Sequence, residues 1–362
     1  MSEIKLSGTT VINNTGGAVT VDANQLQIGS TTVIDNNKKL SNLDIVPNSS
    51  FMFRNKIING GMQIAQRGTS FGTVNLVGST FPYNLDRFCT GRANVVHNGH
   101  CTISQITGGG QKHQITQASG SALDGSEYFT IRQHIEGFNC FDLAGKQATL
   151  SFKVKTNKAG NYGVSFYDGT GSATITPQSI TVSTADANAE NKVSYSKTFT
   201  MPSNITADNA SRLQLDICLA AHDRAGQYYP TGETQVDLFD STANYFEIYE
   251  IQLEEGTAAT PFEYRPIGME LSLCQRYFEK VNYSVGAVAG SWANRGTRFP
   301  FRFAVDKRAT PDVIISSSSN TRCATPTASE IYTTSVTLRA TNSNTDNDDY
   351  SSQGSFTAEI EL

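Results

Sequence analysis

Charge is scarce in this sequence: Asp, Glu, Lys and Arg make up 17% of its 362 residues, against about 25% in an ordinary soluble chain. Thr, Ser, Asn and Gly carry the polarity instead, a balance that favours short strands and turns over surface helices. The net charge of −5 comes with no stripe of clustered Lys and Arg, which leaves no field to attract nucleic acid. No apolar run approaches the ~20 residues of a membrane span, and MSEIKLSGTT has neither the basic start nor the ~7–15 apolar residues of a secretory signal. The expectation is a chain made in a cytosol, without membrane insertion. Six cysteines lie at 89, 101, 140, 218, 274 and 323 with no CxxC pair and no nearby His to complete a zinc knuckle, so free, buried thiols are expected. Tryptophan occurs once, as Trp292, and residues 1–50 contain no aromatic at all.

That last absence divides the chain. The apolar residues of 1–50 come as short pairs and alternations, Ile4/Leu6, Val19/Val21, Leu26/Ile28 and Val33/Ile34, broken by NNTGG, IGSTT and DNNKK. They predict brief strands joined by turns. Such a segment buries too little to offset about 1–2 kcal/mol of backbone entropy per ordered residue, so it is expected to be either flexible or packed against copies of itself or a partner, and its regular alternation favours packing.

Residues 51–88 read as a connector in which Asn59-Gly60, between apolar flanks, has the chemistry of a tight hairpin turn with two positive φ angles. Residues 89–267 carry period-two patterning. Leu150, Phe152 and Val154 alternate with Ser151, Lys153 and Lys155, and Tyr162, Val164 and Phe166 repeat the pattern after a turn at 158–161, which predicts a hairpin. Leu213, Leu215, Ile217 and Leu219 form another one-sided strand, and the alternation slips near Tyr249-Glu250, as a bulge would make it. Strands separated by polar turns, without helix-length segments between them, predict an all-β protein built on an antiparallel β-sandwich, jelly-roll-like in layout. Residues 268–362 read as a short helix, opened by Pro266, plus a small C-terminal β domain in which SVTLRA (335–340) and GSFTAEIEL (354–362) form a hairpin.

Two stretches resemble a recurring segment of bacteriophage tail-fibre and related virion proteins: NKIINGGMQIAQRGTSF (55–71), with NLDRF at 84–88, and YEIQLEEGTAATPFEYRPIGMELSLCQRYFEK (249–280). In that family the first introduces a jelly-roll domain similar to carbohydrate-binding modules, and the second closes it and leads into a C-terminal β domain. The resemblance, which covers about residues 50–280, implies a structural or adhesive part of the virion tail, synthesised in the host cytoplasm. It implies a homotrimer attached to other tail proteins through residues 1–50 and meeting host-surface polysaccharide with its distal domains. It implies no cofactor. A purely architectural role, as head decoration or tail connector without ligand, is the first alternative, and a polysaccharide depolymerase the second.

Enzymatic motifs fail on context. Gly68-Thr69-Ser70-Phe71-Gly72 matches G-x-S-x-G, but TVNLVGST follows where a nucleophile elbow needs a helix. Glu247, Glu250, Glu254 and Glu255 lie along one strand, which does not make the cleft that two glycosidase carboxylates must flank. Asp346, Asp348 and Asp349 lack the glycine of a calcium loop, and the five histidines show no metal-binding spacing. A sugar site wants a flat aromatic beside amide or carboxylate groups. Tyr228 and Tyr229 in AGQYYPTGE, and Trp292 in GSWANRG, are the candidates that this chemistry selects.

Overall fold

The computed structural model describes the paired strands of residues 5–34 and then residues 53–75, 81–93, 99–119, 125, 127–169, 175–187, 189–287, 296–341, 343 and 349–362. The chain divides into two compact units, Met1–Met52 and Phe53–Leu362.

In the first unit the expected brief strands form three antiparallel ladders: β1 (Lys5–Leu6) with β2 (Thr9–Thr10), β3 (Ile12–Asn14) with β4 (Val19–Val21), and β5 (Leu26–Ile28) with β6 (Thr31–Ile34). Among the described residues each ladder has two strands. An isolated two-stranded ladder is marginal in water.

The second unit continues with β7 (Ser70–Asn75), β8 (Cys89–Ala93), β9 (His100–Gln105), β10 (Gln111–Gln117), β11 (Tyr128–Glu136), β12 (Gln147–Thr156), β13 (Gly160–Asp168), β14 (Gln178–Val182), β15 (Val193–Thr200), β16 (Ser211–Ala221) and β17 (Tyr245–Glu255). Two short helices, α1 (Gly137–Cys140) and α2 (Thr184–Ala187), interrupt the series. These strands make a six-stranded sheet, ordered β15-β12-β17-β10-β9-β7, and a five-stranded sheet, ordered β14-β13-β16-β11-β8. Leu150, Phe152, Phe246 and Ile248 from the first sheet and Phe129, Ile131, Val164, Phe166, Leu215 and Ile217 from the second fill one shared core. Edge-to-face ring pairs cross it, Phe129 with Phe239 and Phe166 with Phe199, each at 5.0 Å.

The predicted hairpin of residues 149–166 does not form. β12 pairs with β15 and β17, whereas β13 pairs with β14 and β16. The 158–161 turn therefore arches from one sheet to the other. Each strand has a single apolar row, and the arch lets those rows face each other across the core instead of lying side by side. The arch is tied at its ends: the Tyr162 hydroxyl donates to the Lys158 carbonyl (2.8 Å) and the Thr156 hydroxyl to the Tyr245 carbonyl (2.6 Å). The slip near Tyr249-Glu250 is a bulge. Pairing shifts from Lys153 opposite Tyr249 to Ser151 opposite Gln252, with Glu250 at φ +51°.

The Asn59-Gly60 turn also departs from the hairpin prediction. Asn59 has φ +59°, but Gly60 has no positive φ and no strand flanks the pair. Asn59 is instead a buried staple: its amide nitrogen donates to the carbonyls of Ile64 (2.9 Å) and Asp86 (3.0 Å), and its oxygen accepts from the Ile64 amide (3.0 Å). Gly60 is required by closeness, since a Cβ there would stand 2.1 Å from the Ile251 carbonyl oxygen.

After the sandwich come α3 (Ile267–Gln275), β18 (Phe278–Ala287), β19 (Gly296–Arg302), β20 (Asp312–Thr321), β21 (Thr327–Ser329), β22 (Ser335–Thr341) and β23 (Tyr350–Glu359). They build two three-stranded sheets, ordered β18-β23-β20 and β19-β22-β21. The predicted hairpin of β22 with β23 is thus another pair divided between layers, because both strands carry an apolar row and the rows meet in one small core through Val336, Leu338, Ala340, Phe356 and Ala358.

Buried charge joins the two β bodies. Arg87 pairs with Glu361, donates to the His134 carbonyl (2.6 Å) and lies 3.5 Å above the Tyr277 ring. Arg276 grips Glu136 through two hydrogen bonds (2.6 and 2.9 Å), and Tyr277 donates to the same carboxylate. Arg67 lies 3.7 Å above Phe278 and pairs with Glu359 and Glu361. The quoted sequence motifs supply most of these groups.

All six cysteines are free and buried. Burial pushes Cys89 and Cys140 up to about 12, so at pH 8 the native protein is expected to react with an aromatic disulfide reagent at fewer than one thiol, and the denatured protein at six.

Candidate functional site

Tyr228 and Tyr229 are buried, at 3% and 8% exposure. Their rings pack beneath a loop on the outer side of the five-stranded sheet, Tyr228 at 4.4 Å from Tyr128 and 5.7 Å from Tyr167. The Tyr228 hydroxyl accepts from Arg132 (3.4 Å), which is itself paired with Asp216 (2.8 Å). Neither ring offers a face to a ligand. Trp292 lies outside the described residues.

An exposed aromatic stands elsewhere, on the strap that links the sandwich to α3. Residues 257–264 fold back over the outer face of the six-stranded sheet because the buried end of β17 pins them. Glu254 accepts from the Thr260 amide (2.8 Å) and hydroxyl (2.6 Å), and Gln252 accepts from the Glu263 amide (2.8 Å). Glu263 in turn accepts from the amides of Phe53 (2.5 Å) and Asn55 (2.9 Å). Pro261 and Pro266 hold the strap extended.

Beneath the strap lies an open cleft of about 400 Å³. Ser151 and Lys153 from β12, Ser194 and Ser196 from β15, and Glu250 from the bulge supply its polar lining; Pro261, Phe262 and Tyr264 form the apolar wall. The period-two rule explains the floor, since Ser151 pairs with Ser196 and Lys153 with Ser194 on the face that turns away from the core. Lys153 is bound to Glu250 (2.6 Å), which also accepts from the Tyr264 hydroxyl (3.2 Å). Tyr264 is 69% exposed, and Phe262 buttresses it edge-on at 4.9 Å and 81°. Burial, helped by Glu250, raises the Tyr264 phenol above its ordinary pKa, and burial with the Asp186 hydrogen bond pushes the neighbouring Tyr195 up to about 12. Both phenols are therefore protonated donors at neutral pH.

A buttressed flat ring beside serine hydroxyls and one neutralised ion pair is the chemistry that receives the C–H face and hydroxyls of a sugar. Glu250 is the one carboxylate among the described lining residues, and the other glutamates considered from the sequence are engaged elsewhere. Glu247 accepts from the Tyr249 hydroxyl (2.5 Å), Glu254 holds the strap, and Glu255 pairs with Lys146 (2.8 Å). Ser70 begins β7, and the strand runs on to Asn75 where a nucleophile elbow needs a helix. No group of His, Cys, Asp or Glu among the described residues is arranged to hold a metal; His97, Asp346 and Asp348 lie outside them.

Sequence reasoning passed over Tyr264, although an aromatic between two prolines, on a strap that cannot enter the core, was the available signal. Ser194 and Ser196 were legible as the polar row of VSYSKTFT.

No protein-family model and no curated protein matches the chain. Solved structures do match. The chain is similar to a CBM4 module at 13% identity, covering 43% of this chain and 78% of the module, with TM-score 0.27. It is similar to the enzymatically active domain of tailspike protein 4 of bacteriophage CBA120 at 13% identity, covering 56% of this chain and only 21% of that one, with TM-score 0.24. A family 29 carbohydrate-binding module complexed with cellulohexaose matches at 10% identity, covering 52% of this chain and 92% of the module, with TM-score 0.23. At TM-scores this low, what the cleft can do rests on the geometry of this chain itself.

Proposed function

We propose that this protein is a non-enzymatic structural component of a bacteriophage tail, a homotrimeric fibre part that contacts host-surface glycan through the Tyr264 cleft. The observation that carries the reading is that cleft: an exposed ring, held by Phe262 and Glu250 over a floor of hydroxyls, on a strap whose backbone is pinned at both ends. The resemblance of residues 55–88 and 249–280 to tail-fibre segments supports the virion setting. The two-stranded ladders of residues 5–34 support attachment, because strands of two to four residues gain stability when other chains extend them. A single shallow cleft binds sugar weakly, and three copies on one particle part multiply that by effective concentration.

Replacing Tyr264 with Ala is expected to weaken glycan retention by about tenfold or more per site. Removing a stacked aromatic forfeits on the order of 1.5–3 kcal/mol of burial, and 1.4 kcal/mol is a factor of ten. Full-length protein and the Tyr264→Ala variant compared on an array of bacterial-envelope glycans check this. Selective retention that the variant loses supports the reading; silence of the wild type across the array supports the architectural role instead. Release of reducing ends from envelope polysaccharide would contradict the non-enzymatic assignment.

A further inference from the structure

The small C-terminal β body has a second surface whose charge is arranged against its own stability. In the β19-β22-β21 sheet, Phe299, Phe301, Val336, Leu338 and Ala340 point into the core. The opposite face carries Arg298 and Arg302 from β19 and Arg339 from β22. Arg298 and Arg339 are directly opposite each other in the antiparallel register, a position where like charges destabilise a sheet. Glu330 neutralises Arg298 (2.7 Å), whereas Arg302 and Arg339 have no ion-pair partner among the described residues. Among the described residues three arginines against one glutamate give this face +2, on a chain whose net charge is −5.

The Arg339 side chain also has a prepared bed. A Cβ at Gly296 would stand 2.4 Å from the Arg339 Nε and 3.0 Å from its Cγ, so the missing side chain lets the arginine lie across the strand. At the far end, where Arg302 pairs with Ser335, the turn Tyr332–Ser335 carries Tyr332 at 59% exposure. Exposed guanidinia, two of them directly opposed and one lying across a glycine, with an exposed aromatic at the end of the row, form a cationic surface open to an anionic ligand.

We propose that this face binds an anionic polysaccharide, the guanidinia of Arg302 and Arg339 taking carboxylate or phosphate groups along the chain and Tyr332 meeting a sugar ring. Planar guanidinium forks suit both anions. The spacing favours a sparsely charged polymer. Arg298 and Arg302 stand four residues apart, roughly 13 Å along the strand, while duplex DNA carries a charge every ~1.7 Å of axis and would meet the net negative charge of the remaining chain. The choice of a glycan as occupant rests on the proposed function; the site itself is separate from the Tyr264 cleft.

Binding of the full-length protein to surfaces coated with polygalacturonate, dextran or single-stranded DNA, between low and moderate salt, tests it. The expected result is retention on polygalacturonate that falls as salt rises and exceeds retention on DNA, and at least tenfold loss for the Arg302→Gln/Arg339→Gln variant. The Lys280→Gln variant, which removes one positive charge from an exposed position of the other sheet, is expected to bind as wild type. The double variant is expected to melt no lower than wild type, since it removes cross-strand repulsion, so loss of binding is not loss of fold. Wild-type binding by the double variant, absence of retention on polygalacturonate at low salt, or preference for DNA would each overturn the proposal. If the arginine pair proves irrelevant while Tyr264→Ala abolishes neutral-glycan retention, the cleft stands and this face does not.

Discussion

Replacing Arg87 with Met is expected to lower the free energy of unfolding by about 3–5 kcal/mol, the cost of leaving one member of a buried ion pair without its partner. Arg87 is 1% exposed and Glu361 5% in their side chains. Burial works against the Arg87 charge, yet Glu361, with Tyr277 and Tyr83, holds the guanidinium above its ordinary pKa. The substitution also removes the cation–π contact with Tyr277 and the donor to the His134 carbonyl. Glu361→Gln is expected to cost a comparable amount, because it leaves the buried Arg87 guanidinium without its carboxylate even though Arg67 keeps Glu359. The double variant is expected to fall well short of the sum, since the two groups share one interaction. Guanidinium unfolding followed by tryptophan-independent far-ultraviolet circular dichroism measures all three. A loss below about 1 kcal/mol for Arg87→Met would show that the two β bodies are joined by apolar contact and not by this charge network.

Acid is expected to be the second large lever. His113 is buried and His134 half-buried, and each is depressed from 6.5 to about 3: His113 by burial alone, His134 by burial with Arg132 and Arg87 nearby. A histidine whose folded pKa lies below its unfolded value stabilises the fold above pH 6.5, and that stability drains as pH falls toward 3, because the unfolded chain takes up the proton first. At pH 4.5 the loss is on the order of 2–3 kcal/mol per histidine at 1.36 kcal/mol per unit, or roughly 5 kcal/mol for the pair. Glu136, held below the carboxylate range against its burial by Arg276 and Tyr277, adds loss at the acid end of the same window. Asp86 and Asp237, raised by burial, work in the opposite direction, since they take up protons in the fold before the unfolded chain does. His113→Leu, which keeps an apolar group against Phe129, is expected to flatten the stability profile between pH 6.5 and 4. An unchanged acid slope in that variant would remove His113 from the account.

Period two made the sandwich legible before any coordinates. The rows of β12, β13 and β16 are apolar on one face, and the slip at Tyr249-Glu250 is the bulge that it predicts. Pairing was not legible. Both predicted hairpins joined neighbours in sequence, but a strand with one apolar row needs an opposing layer as much as a lateral partner, and a four-residue arch serves that need as readily as a hairpin does. The same limit hid the site. Tyr228 and Tyr229 sit in a turn-like sequence that reads as exposed, yet the turn lies over the polar outer face of the five-stranded sheet and buries them around Arg132 and Asp216. Tyr264 is exposed because Gln252 and Glu254, more than 100 residues from its floor at Ser151 and 58 or more from Ser194, hold its strap. Nothing local to Tyr264 records those partners.

The joint explains why the two quoted motifs occur together. Asn55, Asn59, Gln66 and Arg87 from the first bond to Ile251, Glu270, Phe278 and Glu361, so the opening connector, the strap, α3 and the C-terminal end form one polar lock around the end of the sandwich. A lock of this kind holds the cleft and the arginine face in one body.

The central claim is that the first fifty residues take their order from other chains, so that the protein works as a multimer. Light scattering of the full-length protein and of a chain lacking residues 1–50 tests it most directly. The account predicts a mass near three times 39.2 kDa for the former and dissociation toward a folded monomer for the latter. A full-length monomer whose residues 5–34 are protected from amide exchange would contradict it.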